Sequence, residues 1–149
     1  MRVLVSACLL GVPCRYDGGS KPCAQVLALA EEHQMIPFCP EVYGGLPTPR
    51  PPAERVGERV LTQAGADVTC AYARGAQAAL DIFRLTGCQA ALLKARSPSC
   101  GAGAIYDGSF QGRLIPGDGV TAALLKAQGI PVATEEDLSS LFAHLDPVP

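Results

Sequence analysis

Three of the seven cysteines lie where a parallel sheet would bring them together. Each follows a short apolar run that predicts a strand: residues 3–5 before Cys8, 35–38 before Cys39 and 90–93 before Cys100. In an open parallel α/β sheet, ligands bind beyond the carboxyl ends of the strands, so residues far apart in sequence converge there. We therefore expect Cys8, Cys39 and Cys100 to share one site.

Thiolates without a neighbouring histidine favour an iron–sulfur cluster or zinc. A cubane cluster normally takes four cysteines, so three would leave one iron with an open position, as in catalytic metal sites. Cys14 follows Cys8 by six residues and could be a fourth ligand or only a neighbour in the loop. We interpret the remaining cysteines as buried structural residues and both histidines as helix-surface residues: Cys23, Cys70, Cys88, His33 and His144.

Polar residues next to these cysteines are candidates for catalysis. Glu41 lies two residues after Cys39 and is either a solvated loop carboxylate or a general acid or base, whose pKa a desolvated site can raise toward neutrality. Ser97 and Ser99 flank Pro98 beside Cys100, where they could cap the following turn or hydrogen-bond a substrate.

Two glycine- and proline-rich loops supply further candidates for substrate binding. Arg15, Tyr16 and Asp17 lie in the first loop and Arg50 lies in the second. Such residues are often ordinary surface residues, but a planar guanidinium can also stack on a flat heterocycle or bond to it.

Strands alternate with helices along the chain, which predicts an α/β fold. We expect a single domain over residues 1–149, with a small, mostly parallel sheet of about four strands in a Rossmann-like, three-layer arrangement. Residues 40–52 contain five prolines and two glycines, which should exclude regular structure. The predicted strands are residues 2–7, 36–39, 90–93 and 130–133, and the predicted helices are 22–34, 66–86, 120–128 and a last one to about 145. A hairpin is predicted within 56–68, and a loop or loose hairpin within 105–119.

The start of the last helix has its own sequence signal. Thr134 resembles an N-cap, and Glu135, Glu136 and Asp137 would then occupy the first turn, where acidic residues favour a helix.

Composition excludes several classes of function. The net charge is −2 and no run of lysine or arginine is present, so we expect no polynucleotide partner. No secretory signal or stretch of roughly 20 apolar residues is visible, which predicts a cytoplasmic protein without a membrane partner. The sequence does not indicate an oligomeric state.

Four motifs in the same order resemble the thiouracil desulfidase family, and the resemblance extends over about residues 1–141. The motifs are residues 6–11 (SACLLG), 15–18 (RYDG), 39–50 (CPEVYGGLPTPR) and 96–101 (RSPSCG). The resemblance implies a [4Fe–4S] cluster held by Cys8, Cys39 and Cys100, with the fourth iron free for the sulfur of the substrate. It also implies catalytic roles for Glu41 and Ser97, and it argues against an obligatory ligand role for Cys14.

The expected activity is hydrolytic removal of sulfur from a small thiolated nucleobase such as a thiouracil. Arg15, Tyr16, Asp17, Arg50 and Ser99 are the expected substrate-binding residues. Two alternatives stay open at this point. The chain could be an iron–sulfur carrier or redox sensor, or a zinc–thiolate hydrolase.

Overall fold

A computed structural model of the protein describes residues 1–145, with side chains described up to residue 141. Four strands pair in parallel in the order β2-β1-β5-β8, and two separate antiparallel hairpins join β3 to β4 and β6 to β7. In chain order the elements are β1 (Arg2–Ser6), a 3₁₀ turn (Ala7–Leu10), α1 (Ala24–Leu29), β2 (Gln34–Phe38), α2 (Pro40–Tyr43), β3 (Ala53–Val56), β4 (Arg59–Thr62), α3 (Thr69–Leu85), β5 (Ala90–Leu93), β6 (Ala104–Tyr106), β7 (Leu114–Pro116), α4 (Val120–Ala127), β8 (Val132–Thr134) and α5 (Leu138–Leu145).

Helices cover both faces of the parallel sheet, so β1 and β5 are apolar on both sides. One face packs against α1 and α5 through Val3, Val5, Leu92, Val26 and Leu141. The other face packs against α3 and α4 through Leu4, Leu93, Leu80, Phe83 and Leu125. The predicted α/β fold with a four-stranded parallel sheet is therefore confirmed. Among the described residues, no helix is both long enough and apolar enough to cross a membrane.

The prediction that residues 40–52 lack regular structure was wrong for their first four residues, which form α2. Proline is well suited to the first helical position, because its φ is already helical and its missing N–H would have had no partner within the helix. Pro40 occupies that position. The remainder of this segment is irregular up to β3, as predicted.

The predicted start of the last helix was also wrong. Thr134 belongs to β8, and α5 begins only at Leu138. Glu135 and Glu136 lie in the turn between them and form ion pairs with the segment that follows β5. The two carboxylates that the sequence pattern assigned to the helix therefore form ion pairs with residues that are distant in the sequence instead.

Three of the residues that the sequence analysis interpreted as buried or helix-surface residues lie in a different environment. Cys88 is buried, but Cys70 is exposed and Cys23 is only half-buried. Because α1 ends at Leu29, His33 lies in the turn before β2 instead of on a helix surface. The side chain of His144 lies outside the described residues.

The two hairpins are linked to each other beside the carboxyl edge of the sheet. The Glu54 carboxylate of β3 accepts the backbone N–H groups of Gly108 (3.0 Å) and Phe110 (3.1 Å) in the β6–β7 turn. Arg55 donates to the carbonyl oxygen of Asp118 at 2.6 Å. The hairpins thus form one continuous wall, and Glu54 and Tyr106 from it line the cavity described next.

Candidate metal centre and active site

Cys8, Cys39 and Cys100 line a single cavity of about 470 Å³ at the carboxyl edge of the sheet. Cys8 lies in the 3₁₀ turn directly after β1, Cys39 separates β2 from α2, and Cys100 lies in the loop after β5. Since β1 is the neighbour of both β2 and β5, three adjacent strand ends bring the cysteines to one place.

The thiols of Cys39 and Cys100 lie in an environment that disfavours free thiolates. Burial raises the pKa of Cys100 to about 12, although hydrogen bonds from Ser6 and Ser99 act in the opposite direction. A hydrogen bond with Cys14 and then burial raise the pKa of Cys39. Coordination to a metal deprotonates a thiol outright, so this donor set fits a bound metal centre better than free ionised cysteines.

Cys14 lies in the same cavity and is itself buried. The Cys39 thiol points to the Cys14 carbonyl oxygen at 3.7 Å, and the Cys14 thiol contacts those of Cys39 and Cys8. The contact with Cys39 lowers the pKa of Cys14, but the contact with Cys8 and burial outweigh it and raise the pKa overall. Cys14 is thus a direct neighbour of two of the proposed ligands.

Glu41 is held by a buried ion pair with Arg50. Arg50 Nε donates to Glu41 Oε1 at 2.9 Å, and the two side chains are only 4% and 13% exposed, respectively. The other guanidinium nitrogens donate to the Pro47 carbonyl, the Thr48 hydroxyl and the Cys14 carbonyl, the last at 2.9 Å. Arg50 therefore joins the loop that carries Cys14 to the carboxylate beside Cys39.

Burial lowers the pKa of Arg50, but the charge and hydrogen bond of Glu41 raise it by more, so the guanidinium stays charged. The sequence predicted Arg50 as a substrate-binding residue. The structure places it in the cavity wall with its nitrogens already bonded to protein groups.

Two serines continue the polar network from the other oxygen of Glu41. Ser99 Oγ donates to Glu41 Oε2 at 2.9 Å, and Ser97 Oγ lies 3.0 Å from Ser99 Oγ. Ser97 Oγ also accepts the backbone N–H groups of Ser99 and Cys100, each at 3.1 Å. Glu41, Ser97 and Ser99 thus form one hydrogen-bonded group beside Cys100.

The predicted residues of the first loop divide into two sets. Arg15 and Tyr16 line the cavity, and the Arg15 guanidinium lies 5.6 Å from the centre of the Tyr16 ring. Asp17 is not among the lining residues; its carboxylate accepts the Gly19 N–H at 2.8 Å and closes a turn. The structure therefore places Arg15 and Tyr16 near the cysteines, and Asp17 in the turn behind them.

Several cavity residues were not found from the sequence. Tyr72 of α3 is 2% exposed, and burial, reinforced by the neighbouring Glu41 charge, raises its pKa, so that it stays a neutral hydroxyl. Tyr72 lies in an apolar helical pattern that is typical of core residues, so the sequence did not indicate that it lines the site. Ser6 is also buried and accepts the Lys94 N–H at 2.8 Å, which ties the ends of β1 and β5 together.

One lysine and one arginine side chain reach the cavity from the segment after β5. Lys94 pairs with Glu135 and Arg96 pairs with Glu136, each at 2.9 Å. All four residues line the cavity. A signal for them was visible, because both cations directly follow a predicted buried strand.

The fold and the cavity define an α/β protein with a cysteine-lined site beyond the carboxyl ends of its parallel strands. A model of the 2-thiouracil desulfurase family matches residues 3–137, and the chain belongs to that family. It is 41% identical, over 94% of its length and 99% of the relative's, to the uncharacterised protein YbbK of Bacillus subtilis (strain 168).

A solved structure, that of the [4Fe–4S]-dependent thiouracil desulfidase TudS, is also similar to the chain. The two are 52% identical, the match covers 99% of each chain, and the TM-score is 0.92. The family resemblance predicted from the four motifs is therefore confirmed.

Proposed function

We propose that this chain is an iron–sulfur-dependent desulfidase that removes sulfur, as sulfide, from a small thiolated nucleobase of the thiouracil type. The observation that carries the proposal is that Cys8, Cys39 and Cys100 line one cavity together with the Glu41 network. The similarity to TudS supports the same activity and the same cofactor.

The proposed cofactor is a [4Fe–4S] cluster, with Cys8, Cys39 and Cys100 as its ligands. Among the side chains of residues 1–141, which the structure describes, no group of three or more from histidine, cysteine, aspartate or glutamate is placed to hold a single metal ion. Cysteines spread around a cavity suit a cluster, since each thiolate binds a different iron, better than a single tetrahedral zinc. When bound, a cluster with one open iron would supply a Lewis acid that polarises the carbon–sulfur bond.

The protein side chains then have to bind the base and move a proton. Arg15 and Tyr16 present a planar guanidinium and an aromatic ring at the cavity, both of which suit a flat heterocycle. Glu41 accepts a proton from the water that adds to the thiocarbonyl carbon, and Ser97 orients that water or the base. Hydroxide replaces sulfur at this carbon, so the reaction is hydrolytic and consumes no electron.

The cavity and the charge of the protein also limit the substrate. A volume of about 470 Å³ lies within the usual range for small-molecule sites. The net charge of −2 does not favour binding to a phosphate backbone. We therefore infer a free base or a small derivative in the cytoplasm, in preference to a polynucleotide.

One anaerobic experiment tests the proposal against its alternatives. Reconstituted protein is assayed for sulfide release from a panel of thiolated uracils, and its iron, sulfide and zinc contents are measured. We expect about four irons per chain, a broad visible absorption band and repeated turnover. Stoichiometric zinc without iron would favour the hydrolase alternative. Rapid transfer of the cluster to an apo-acceptor without desulfuration would favour the carrier.

A further inference from the structure

Lys94 and Glu135 form an ion pair in the cavity that takes no part in the proposed proton transfer. Leu93 of β5 and Thr134 of β8 are partners in the parallel sheet, so the next residues, Lys94 and Glu135, lie side by side just beyond the strand ends. Lys94 Nζ lies 2.9 Å from Glu135 Oε2, and both side chains line the cavity. Since β8 and β2 are the two outer strands of the sheet, the pair lies at the flank opposite Cys39.

Hydrogen bonds to the main chain hold this pair in place. The Lys94 N–H donates to the Ser6 hydroxyl at 2.8 Å, which fixes the backbone at the end of β5. The Ala95 N–H donates to Glu135 Oε1 at 2.7 Å. The Glu135 carboxylate is therefore bonded at one oxygen to the main chain and at the other to the ammonium group. A side chain held in this way is pre-organised for binding.

The two charged groups have hydrogen-bonding positions to spare. An ammonium group has three N–H donors, and a carboxylate has about four acceptor positions. Lys94 Nζ donates to Glu135 and to the Ala95 carbonyl oxygen, the latter at 3.2 Å. Among residues 1–141, whose side chains the structure describes, no group accepts its third N–H. The pair therefore offers the cavity one donor with an acceptor beside it.

Burial distinguishes this pair from the neighbouring pair of Arg96 and Glu136. The Lys94 and Glu135 side chains are 23% and 15% exposed, whereas those of Arg96 and Glu136 are 46% and 51% exposed. Water can fill the free positions of the exposed pair, which contributes little to binding or stability. The less exposed pair has lost part of its hydration, so a ligand that fills its free positions gains more.

Resting on the proposed function, we infer that Lys94 and Glu135 are specificity-determining residues that select a thiolated base of the uracil type. In 2-thiouracil the carbon that carries sulfur is followed around the ring by an N–H donor and then by a carbonyl acceptor. Glu135 accepts that N–H, and Lys94 donates to that carbonyl. In 2-thiocytosine the same two positions hold a bare ring nitrogen and an amino group, so both hydrogen bonds are lost.

The test is the ratio of kcat/KM for 2-thiouracil to kcat/KM for 2-thiocytosine, measured by sulfide release. Both rates come from one preparation of reconstituted protein, so the ratio does not depend on the fraction that is folded or loaded with cluster. An unpaired polar group typically costs about 10–100-fold. We expect a wild-type ratio of about 10² or more, and a ratio lower by about tenfold or more in Lys94→Met and in Glu135→Gln. Lys126→Met is the matched control with an unchanged ratio, because it removes a lysine–carboxylate pair (2.8 Å to Asp118) outside the cavity.

A second measurement needs neither turnover nor a variant. In calorimetric titrations of the reconstituted wild-type protein, uracil, which lacks the sulfur, should bind about tenfold or more tightly than cytosine. Uracil binding no tighter than that of cytosine overturns the inference, even where a variant fails to fold. An unchanged ratio in Lys94→Met and Glu135→Gln, or an equal change in Lys126→Met, also overturns it. A preference for uracil without sulfide release from either thiolated base supports the recognition and rejects the proposed desulfidase function.

Discussion

Gly75 of α3 lies directly against the carbonyl oxygen of Pro40 in α2, so closely that a Cβ at position 75 would overlap it. Gly44, at the end of α2, lies in the same relation to the carbonyl oxygen of Ala71. The two helices can therefore meet only because each has a glycine at the contact. Since α2 begins directly after Cys39 and carries Glu41, this contact determines where both residues lie.

We expect Gly75→Ala to destabilise the protein and to reduce cluster binding. Alanine favours a helix interior by about 1 kcal/mol over glycine, but overpacking costs about 1–3 kcal/mol and here would push α2 away from α3. Denaturant unfolding and iron content per chain measure the two effects. The matched control is Ala73→Gly on the exposed face of the same helix, which should cost about 1 kcal/mol and leave iron content unchanged. Full iron binding by Gly75→Ala would contradict this account of the contact.

Replacement of single cysteines should separate ligands from neighbours. Cys100→Ala should lose the cluster and all activity, as should the corresponding variants of Cys8 and Cys39. Cys14→Ala should retain the cluster, because the family resemblance does not require it as a ligand. Cys88→Ala is the control, since Cys88 is buried but lies outside the cavity. Iron content and visible absorbance distinguish ligands from neighbours. Loss of iron from Cys14→Ala would show that Cys14 is a fourth ligand.

Glu41→Gln should lower turnover by about 10²–10⁴-fold while the cluster stays bound, because it removes the proton acceptor. It also leaves the buried Arg50 without its counter-charge, and breaking such a pair typically costs about 3–5 kcal/mol of stability. Steady-state kinetics, iron analysis and denaturant unfolding measure the three quantities. Wild-type turnover with a full cluster would show that another group moves the proton.

Asp67 provides a prediction about pH. Hydrogen bonds from Thr69 and then from Arg59 lower the pKa of this carboxyl to about 2, and the Thr69 N–H bond (2.9 Å) lies at the start of α3. A depressed pKa contributes stability that is present above the unfolded-state value, near 3.9, and is lost as the pH falls through about 2. Asp67→Asn should therefore melt at a lower temperature than wild type at pH 6, and the difference should shrink between about pH 4 and pH 2. A difference that is independent of pH would contradict the assignment.

The sequence could predict that Cys8, Cys39 and Cys100 meet at one edge of the sheet, because the signal is local: an apolar run, then a cysteine, then a glycine- or proline-rich loop. The same reasoning could not predict what Arg50 or Tyr72 does. Arg50 resembles a surface residue until the fold brings the Cys14 carbonyl and Glu41 to it, and Tyr72 resembles an ordinary core aromatic.

For Glu135, the local sequence pattern led to a wrong prediction. Its pattern fits a helix start, yet its carboxylate binds Lys94 and the Ala95 N–H, which lie 41 and 40 residues earlier in the chain. Where a local preference and a distant charged partner compete for one side chain, only the folded structure shows which of them prevails.

The placement of the cysteines on three adjacent strand ends also bears on how such proteins diverge. Cys39 follows Cys8 by 31 positions and Cys100 follows Cys39 by 61, yet the spacing of the sulfurs depends on neighbouring strands about 4.8 Å apart and not on those intervals. Insertions or deletions in the hairpins at 53–62 and 104–116 can therefore reshape the mouth of the cavity without moving a ligand. Relatives that share one metal centre can therefore differ at the cavity mouth through these hairpins, and a motif defined by fixed cysteine spacing would fail to recognise those in which residues 53–62, which lie between Cys39 and Cys100, change in length.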